Sequence, residues 1–525
     1  MARNIHSRIQ LRGTLVTQSP LHVGGYGDDV DTDLPLARDG AGQLYVPGTS
    51  LAGSLRELAE RLFGNSVIEE LWGFQDGDKG HASFVMVDDA LVEHSETAVV
   101  EIRDHVGIDR EYGAAAEHIK FDRAILPRGT RLQLRLTAEV ANHEKRNLAL
   151  AMMVVLKQAL EAGEVRLGAA KTRGLGHVRL GDGGQLTEQC FASRQGILAS
   201  LRQTNVAVIP QTDIDAAKQA HPPQKRPRLI IKIHWNPRGP LMVKAGADGI
   251  AADMLPLVSR IDEYVSLVLP GSSVKGAFRS QAERIIRTVR GDTSPIWFND
   301  DGKKKFLNAL DVPLINELFG RRGEKAIEDD KKAWLPGLSA LDVWDCYGAH
   351  RLTVEQWQAI QIATKDCQLR RALADAGLQI RQNVQNATPQ EMWSQAYHVA
   401  IDRWLGSAAE SMLYTVLEPH CAEWEPLTLE INLQRVPSHL QLPGVALLLL
   451  VIRDLANNRL PLGFATHRGM GELQVTHLEI QGHDLDEPFA SFLGVRLQNG
   501  KLTNLPPDLN SAWQQWIRQN QEVPA

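Results

Sequence analysis

The chain is poor in cysteine: its 525 residues include only Cys190, Cys346, Cys367 and Cys421, far apart and with no C-x-x-C pair. That spacing signals neither a zinc site nor a disulfide framework, and buried free thiols are the expectation. A strong charge of either sign is missing too, the formal net charge being -6. This argues against a protein that coats nucleic acid by bulk charge, so any RNA contact must come from local patches. No apolar run of membrane-spanning length stands out, and the opening M-A-R-N-I-H-S-R lacks the apolar block of a signal peptide. A cytoplasmic protein with no membrane partner is expected. With 43% hydrophobic residues, the chain can still build two or more cores.

What the sequence does have is a stretch that occurs twice, and such repeats govern how the rest is read. From His22 to Arg56 it runs H-V-G-G-Y-G-D-D-V-D-T-D-L-P-L-A-R-D-G-A-G-Q-L-Y-V-P-G-T-S-L-A-G-S-L-R. From Met242 to Arg279 it returns as M-V-K-A-G-A-D-G-I-A-A-D-M-L-P-L, a spacer, and L-P-G-S-S-V-K-G-A-F-R. Asp28 falls on Asp248 and Asp33 on Asp253, a constant offset of 220. Gly48-Thr49-Ser50 then meets Gly271-Ser272-Ser273, and Arg56 meets Arg279, three residues having been gained in between. Further on, His105 to Arg110 matches His398 to Arg403 at an offset of 293, so the second copy carries 73 additional residues. The polar block from Ile286 to Lys304 and a helical-looking insert over 353–393 account for most of them.

Periodicity supplies the elements. Ile9, Leu11 and Leu15 share one face of a first strand, with Gln10, Arg12 and Thr14 on the other. Leu51, Leu55, Leu58 and Leu62 recur at helical spacing after a start that Thr49 or Ser50 can cap. A strand from Ser83 to Leu91, an irregular stretch over 101–118, a strand at Leu132 to Leu136, a helix from Leu148 to Leu160 and a strand from His177 to Leu180 complete the unit. Leu229 to Trp235, Leu427 to Leu433, Val445 to Leu455 and Leu473 to Ile480 repeat that order. The fold class is therefore α+β, two tandem ferredoxin-like domains with loop insertions. The expected boundaries are 1–192, a proline-containing linker at 193–227, a second domain at 228–482 and a tail at 483–525. The tail, with Trp513 and Trp516, is expected to pack on the body or on a neighbour.

Each copy ends in a glycine-rich turn, G-A-A-K-T-R-G-L-G from Gly168 and G-F-A-T-H-R-G-M-G from Gly463. Glycines admit a phosphate close to the backbone, and Lys171, Arg173, His467 and Arg468 supply charge; a tight turn before the last strand is the plain alternative. The combination of a G-G-x-x-x-D-x-P-like loop (Gly24, Gly25), a P-G-[ST]-S-[LV]-x-G-x-x-R helix start and a G-x-x-x-x-R-G-x-G turn resembles the repeat-associated mysterious protein (RAMP) superfamily. Within it, the chain is most similar to the backbone subunit of type III CRISPR effectors, the "Cas seven" family. Covering roughly 8–190 and 228–481, it looks like a tandem fusion of two such subunits, as in type III-D-like systems.

The resemblance implies a subunit that wraps the guide crRNA, pairs it with single-stranded target RNA and cuts the target. Its partners would be the large polymerase-like subunit and further backbone subunits. Asp33 and Asp253 match the cleavage aspartate, each a ligand for Mg2+ or another divalent cation, with Asp28 and Asp248 assisting. One carboxylate suffices physically, because RNA brings its own 2'-hydroxyl nucleophile; a hydrated magnesium ion on one carboxylate and a phosphate is ordinary coordination. Loop acids making Asx turns are the structural alternative. The helix starts at Gly48, Thr49, Ser50 and at Gly271, Ser272, Ser273 offer backbone amides to a guide phosphate, with Arg56 and Arg279 one turn on. The family lysine is present as Lys275 but is Ala52 in the first copy.

The irregular stretch takes the place of the family's thumb hairpin, around His105 and Arg110 and around His398 and Arg403. The repeated I-D-R reads equally as a buried Asp-Arg pair. The two histidines read as acid catalysts or, more plainly, as structural hydrogen-bonding groups. The expected activity is a metal-dependent endoribonuclease with one site per repeat, leaving a cyclic phosphate and a 5'-hydroxyl. A non-catalytic guide and target scaffold is the second reading, and a duplicated module for small ligands or assembly the third.

Overall fold

The computed structural model describes residues 4–25, 32–95, 98–109, 113–181, 183–192, 194–202, 207–246, 249–291, 312–321, 337–380, 392–420 and 423–520. The first half runs β1 (Ser7–Thr17), α1 (Gly48–Phe63), β2 (Val85–Val87), β3 (Glu101–Ile108), β4 (Ala115–Ile125), β5 (Arg131–Val140), α2 (His143–Glu161), β6 (His177–Leu180), β7 (Gln185–Cys190) and α3 (Gln211–Ala220). The second runs β8 (Arg228–Pro237), α4 (Gly271–Arg290), β9 (Leu341–Val343), α5 (Val354–Gln361), α6 (Asp366–Asp375), β10 (Met392–Ile401), β11 (Ala408–His420), β12 (Leu427–Asn432), α7 (Ser438–Ala456), β13 (Leu473–His483) and α8 (Pro507–Asn520). The architecture is mixed α+β, as the periodicities require.

Two compact units result. One holds Met1–Ile102, Asp122–Lys171 and Leu175–Arg226; the other holds Arg103–Phe121, Thr172–Gly174 and Pro227–Ala525. In the first, β1 is central because every second side chain is apolar: Ile9, Leu11 and Leu15 are fully buried. Antiparallel β5 flanks it on one side, placing Leu136 opposite Leu11, and β2 lies beyond β5. β6 and β7 flank its other side. The second unit repeats the arrangement, with β8 between antiparallel β12 and β13, and β9 beyond β12.

Helices cover these sheets by their apolar stripes. In α1, Leu51, Leu55 and Leu62 are buried, but Ala59 rather than Leu58 completes the stripe. Each buried leucine contributes about 1.5–3 kcal/mol, so Leu51→Ala is the kind of single change that breaks this contact. α7 is the one described helix long and apolar enough to cross a membrane, a run that the composition did not reveal. Val445, Leu447, Leu448, Val451, Ile452 and Leu455 of α7 lie in the second unit's core.

Several expectations change. α1 and α4 start at Gly48 and Gly271, with Pro47 and Pro270 as N-caps and no side-chain cap bond, so Thr49 and Ser50 do not cap. The 193–227 stretch is not a free linker: α3 forms within it, Ala217 is buried, and the first unit extends to Arg226. The 353–393 insert is helical over Val354–Gln361 and Asp366–Asp375, α5 being held by a Thr353/Gln356 capping box, with Trp357, Leu369 and Leu373 buried. It closes on a short strand at Gln379–Ile380 that pairs with the start of β10. Most of the 286–304 block, and Cys421, fall outside the described residues. In the tail, Trp513 and Trp516 of α8 stack at 5.5 Å and join the second unit's core. Cys346 is buried, and burial pushes its thiol pKa well up, whereas Cys190 and Cys367 are exposed.

Candidate functional site

Each acid-bearing loop has two arms that hydrogen-bond to one another. In the first repeat Gly25 N donates to Pro35 O and Ala37 N to Val23 O; in the second, Ala245 N donates to Leu255 O and Leu257 N to Val243 O. Gly25 is small for a reason, since a Cβ there would meet Leu36 O at 2.7 Å. Gly24 is exposed beside it and bridges to Leu36. The returning arm then meets the hairpin: Ala124 N of β4 donates to Leu34 O at 3.0 Å, and Leu417 N of β11 to Met254 O at 2.9 Å. These donors differ by 293 residues and the acceptors by 220, so the contact itself is duplicated.

At that crossing sit the two aspartates. Asp33 N donates to Asp122 Oδ1 at 2.7 Å, and Asp122 N donates back to Asp33 Oδ2 at 2.9 Å. The Thr32 hydroxyl adds a bond to Asp122 Oδ1 at 2.6 Å. In the second repeat Asp253 N donates to Thr415 Oγ1 at 3.0 Å, while Thr415 N and its hydroxyl reach Asp253 Oδ2 at 2.7 and 2.9 Å. Both aspartates are exposed, and the residues before them, Thr32 and Ala252, are buried. In each carboxylate Oδ2 is engaged, while Oδ1 takes no hydrogen bond among the described residues. Asp28 and Asp248 lie outside the described residues.

The glycine-rich turns pack backbone to backbone on the roots of these loops. Ala169 N donates to His22 O and Phe464 N to Met242 O; Gly176 N donates to Pro20 O and Gly471 N to Pro240 O. Gly168 and Gly463 have φ of +73 and +92, and a Cβ would lie 2.0 and 2.3 Å from the His22 and Met242 carbonyls. The turn is thus a tight structural joint. His22 is buried, with Nδ1 2.7 Å from Ala124 O, and burial lowers its pKa despite that contact.

The flanking cations divide. Lys171 donates to Ser54 Oγ of α1. Arg173, His467 and Arg468 are exposed, and the Arg468 guanidinium lies over the Phe464 ring and reaches the Tyr414 hydroxyl.

At the helix starts, protein carboxylates already occupy the expected anion position: Gly48 N donates to Asp89 at 2.6 Å and Gly271 N to Asp345 at 2.8 Å. Thr49 and Ser273 are exposed, Ser50 and Ser272 half-buried. Arg56 pairs with Glu60 at 2.8 Å and Arg279 with Glu283 at 2.7 Å, the same i,i+4 pair in both copies. Lys275 is buried and donates to Thr172 O, Ser339 Oγ and Leu341 O, so its ammonium serves the protein interior.

The irregular stretches are the β3–β4 and β10–β11 hairpins. His105 stacks on Phe121 at 5.0 Å and His398 on Tyr414 at 5.3 Å, again equivalent residues. Asp402 does not pair with Arg403, which is exposed; it caps the hairpin turn, accepting from Trp404 N and Leu405 N. Arg110 lies outside the described residues. Trp404 is 94% exposed, with Leu405 beside it.

A single hard oxygen, Oδ1, suits a magnesium ion that keeps most of its water and takes its other ligand from a phosphate. The described residues contain no cluster of three or more His, Cys, Asp or Glu placed to hold a metal. Sequence reasoning missed Asp122, Thr415, Asp89 and Asp345. The 293 offset aligns Asp122 with Thr415, but the two differ in type, so identity gave no signal.

A family model described as the RAMP superfamily matches residues 14–179 and 240–474, most of the chain and one segment per repeat. No curated protein matches it.

Proposed function

The chain belongs to the RAMP superfamily, a group of CRISPR-associated RNA-binding proteins, and on that footing we propose that it is a type III-like backbone subunit carrying two target-RNA cleavage sites. The reading takes each repeat as a ferredoxin-like fold, supported by the antiparallel order of last, first, third and second strands around β1 and β8. The observation that carries cleavage is the repeated placement of an exposed aspartate, one oxygen held and one open, at the foot of a long hairpin.

In this scheme crRNA and target lie along the hairpins. The apolar and aromatic tip at Trp404 and Leu405 wedges between bases and stacks on one of them. Displacing a base frees the adjacent sugar to bring its 2'-oxygen in line with the phosphorus. The 2'-oxygen–phosphorus bond forms, the phosphorus–5'-oxygen bond breaks, and a cyclic phosphate and a 5'-hydroxyl result. Asp33 or Asp253 Oδ1 accepts the 2'-hydroxyl proton directly or through water, and the leaving oxygen takes its proton from water. A divalent cation, when bound, would neutralise charge developing on the phosphate.

The test is cleavage mapping with full-length protein assembled with crRNA, its partner subunits and labelled target. Asp33→Ala is expected to remove one cut and Asp253→Ala another, with target binding retained. A double variant that still cuts at both positions overturns the proposal; binding without any cut by the parent protein supports the scaffold instead.

A further inference from the structure

We infer that Asp122 and Thr415 are positioning residues for Asp33 and Asp253, so that each hairpin sets the aim of the carboxylate at its own foot. The inference rests on the cleavage reading and deepens it. Its ground is that the two contacts are built from non-adjacent stretches which drifted apart by different amounts, 220 residues for the loop and 293 for the hairpin, yet meet residue for residue. The chemistry of the partner changed from a carboxylate to a hydroxyl. The geometry did not: in both repeats the aspartate amide donates to the partner side chain and the partner amide donates to Oδ2.

A two-point contact of this kind fixes both the backbone and the side-chain torsion of the aspartate. With Oδ2 pinned, Oδ1 is left as the oxygen without a hydrogen bond among the described residues. Because Asp122 and Thr415 belong to β4 and β11, a hairpin moved by a duplex carries the carboxylate with it. The copies differ in what surrounds the pinned oxygen. Thr415 gives Asp253 a second donor through its hydroxyl, whereas Asp122 takes the Thr32 hydroxyl for itself. Repeat two therefore holds its carboxylate with the side chain as well as the amide. Repeat one relies on the amide alone and has a second carboxylate close by.

The experiment uses the assembled complex, in which the two cuts serve as controls for each other. Asp122→Ala is expected to slow the Asp33-dependent cut about 10- to 100-fold at saturating target and magnesium, the loss typical of a misaimed group. The Asp253-dependent cut and target affinity stay unchanged. Asp122→Asn, which keeps the acceptor, recovers most of the rate. Thr415→Val slows only the other cut, and Thr415→Ser restores it. The inference is overturned if Asp122→Ala and Thr415→Val leave both rates unchanged while Asp33→Ala and Asp253→Ala abolish theirs. It is equally overturned if either partner variant removes both cuts along with target binding, which marks a structural role. Cuts that survive Asp33→Ala and Asp253→Ala overturn the cleavage reading itself and the positioning role with it.

Discussion

The Arg103 guanidinium lies 2.6 Å from the Asp345 carboxylate, and both side chains are almost wholly buried. Arg103 comes from β3 and also donates to Ser259 Oγ, while Asp345 accepts the first amide of α4 through its other oxygen. One carboxylate thus ties a hairpin strand to the start of a helix.

Removing one side of a buried ion pair leaves the other charge uncompensated, which costs about 3–5 kcal/mol. Arg103→Met is accordingly expected to lower the second unit's stability by about that amount in urea unfolding. A change below 1 kcal/mol would show that water reaches Asp345.

Lys275 makes stability depend on pH. Burial pulls its pKa down to about 7, the Asp342 carboxylate opposing and nearby arginines adding to the fall. Below pH 7 the folded and unfolded chains both carry the proton. Above it the folded chain releases the proton first, so this group's contribution to stability rises with pH from about 7 until the unfolded lysine titrates near its ordinary value of 10.5. The difference in unfolding free energy between parent and Lys275→Met is expected to shift in the parent's favour across that window. A flat difference would mean that the ammonium stays charged on its three acceptors.

Two glycines of one turn should respond unequally to alanine. Gly469 has φ +86 but open space around its Cβ direction, so Gly469→Ala costs only the left-handed conformation, about 1–2 kcal/mol. At Gly463 the new methyl would also strike the Met242 carbonyl, and a loss of about 3 kcal/mol or more is expected. Chemical unfolding of the two variants side by side decides it.

Trp404→Ala should leave stability within about 0.5 kcal/mol, because the ring is almost wholly exposed. If the hairpin tip stacks on a base, the same change weakens target binding by about 1–3 kcal/mol. Titration of labelled target into the assembled complex measures this; unchanged affinity would remove the tip from the RNA path.

Strand and helix order was legible because Ile9, Leu11 and Leu15, or Leu229, Ile231 and Ile233, alternate cleanly on buried faces. The twofold plan was legible because Asp33 and Asp253 recur at one offset. The hairpins read only as irregular stretches: Val106, Ile108, Val399 and Ile401 are exposed on them, so burial imposes no alternating pattern there. The contacts of Asp33 with Asp122 and of Asp253 with Thr415 were illegible because much of each bond is backbone, which the side-chain code does not specify. Asp89 and Asp345 stayed hidden for a related reason, since capping from a distant segment carries no local spacing rule.

Residues 103–121 fold with the second unit although they precede the first unit's third sheet strand. A C-terminal product beginning at residue 227 would therefore lack part of its own unit, and Asp345 would lose Arg103, its buried ion-pair partner. The order of the chain and the partition of its fold therefore differ: the second unit is whole only when residues 103–121, which precede most of the first unit's sheet, are counted with it.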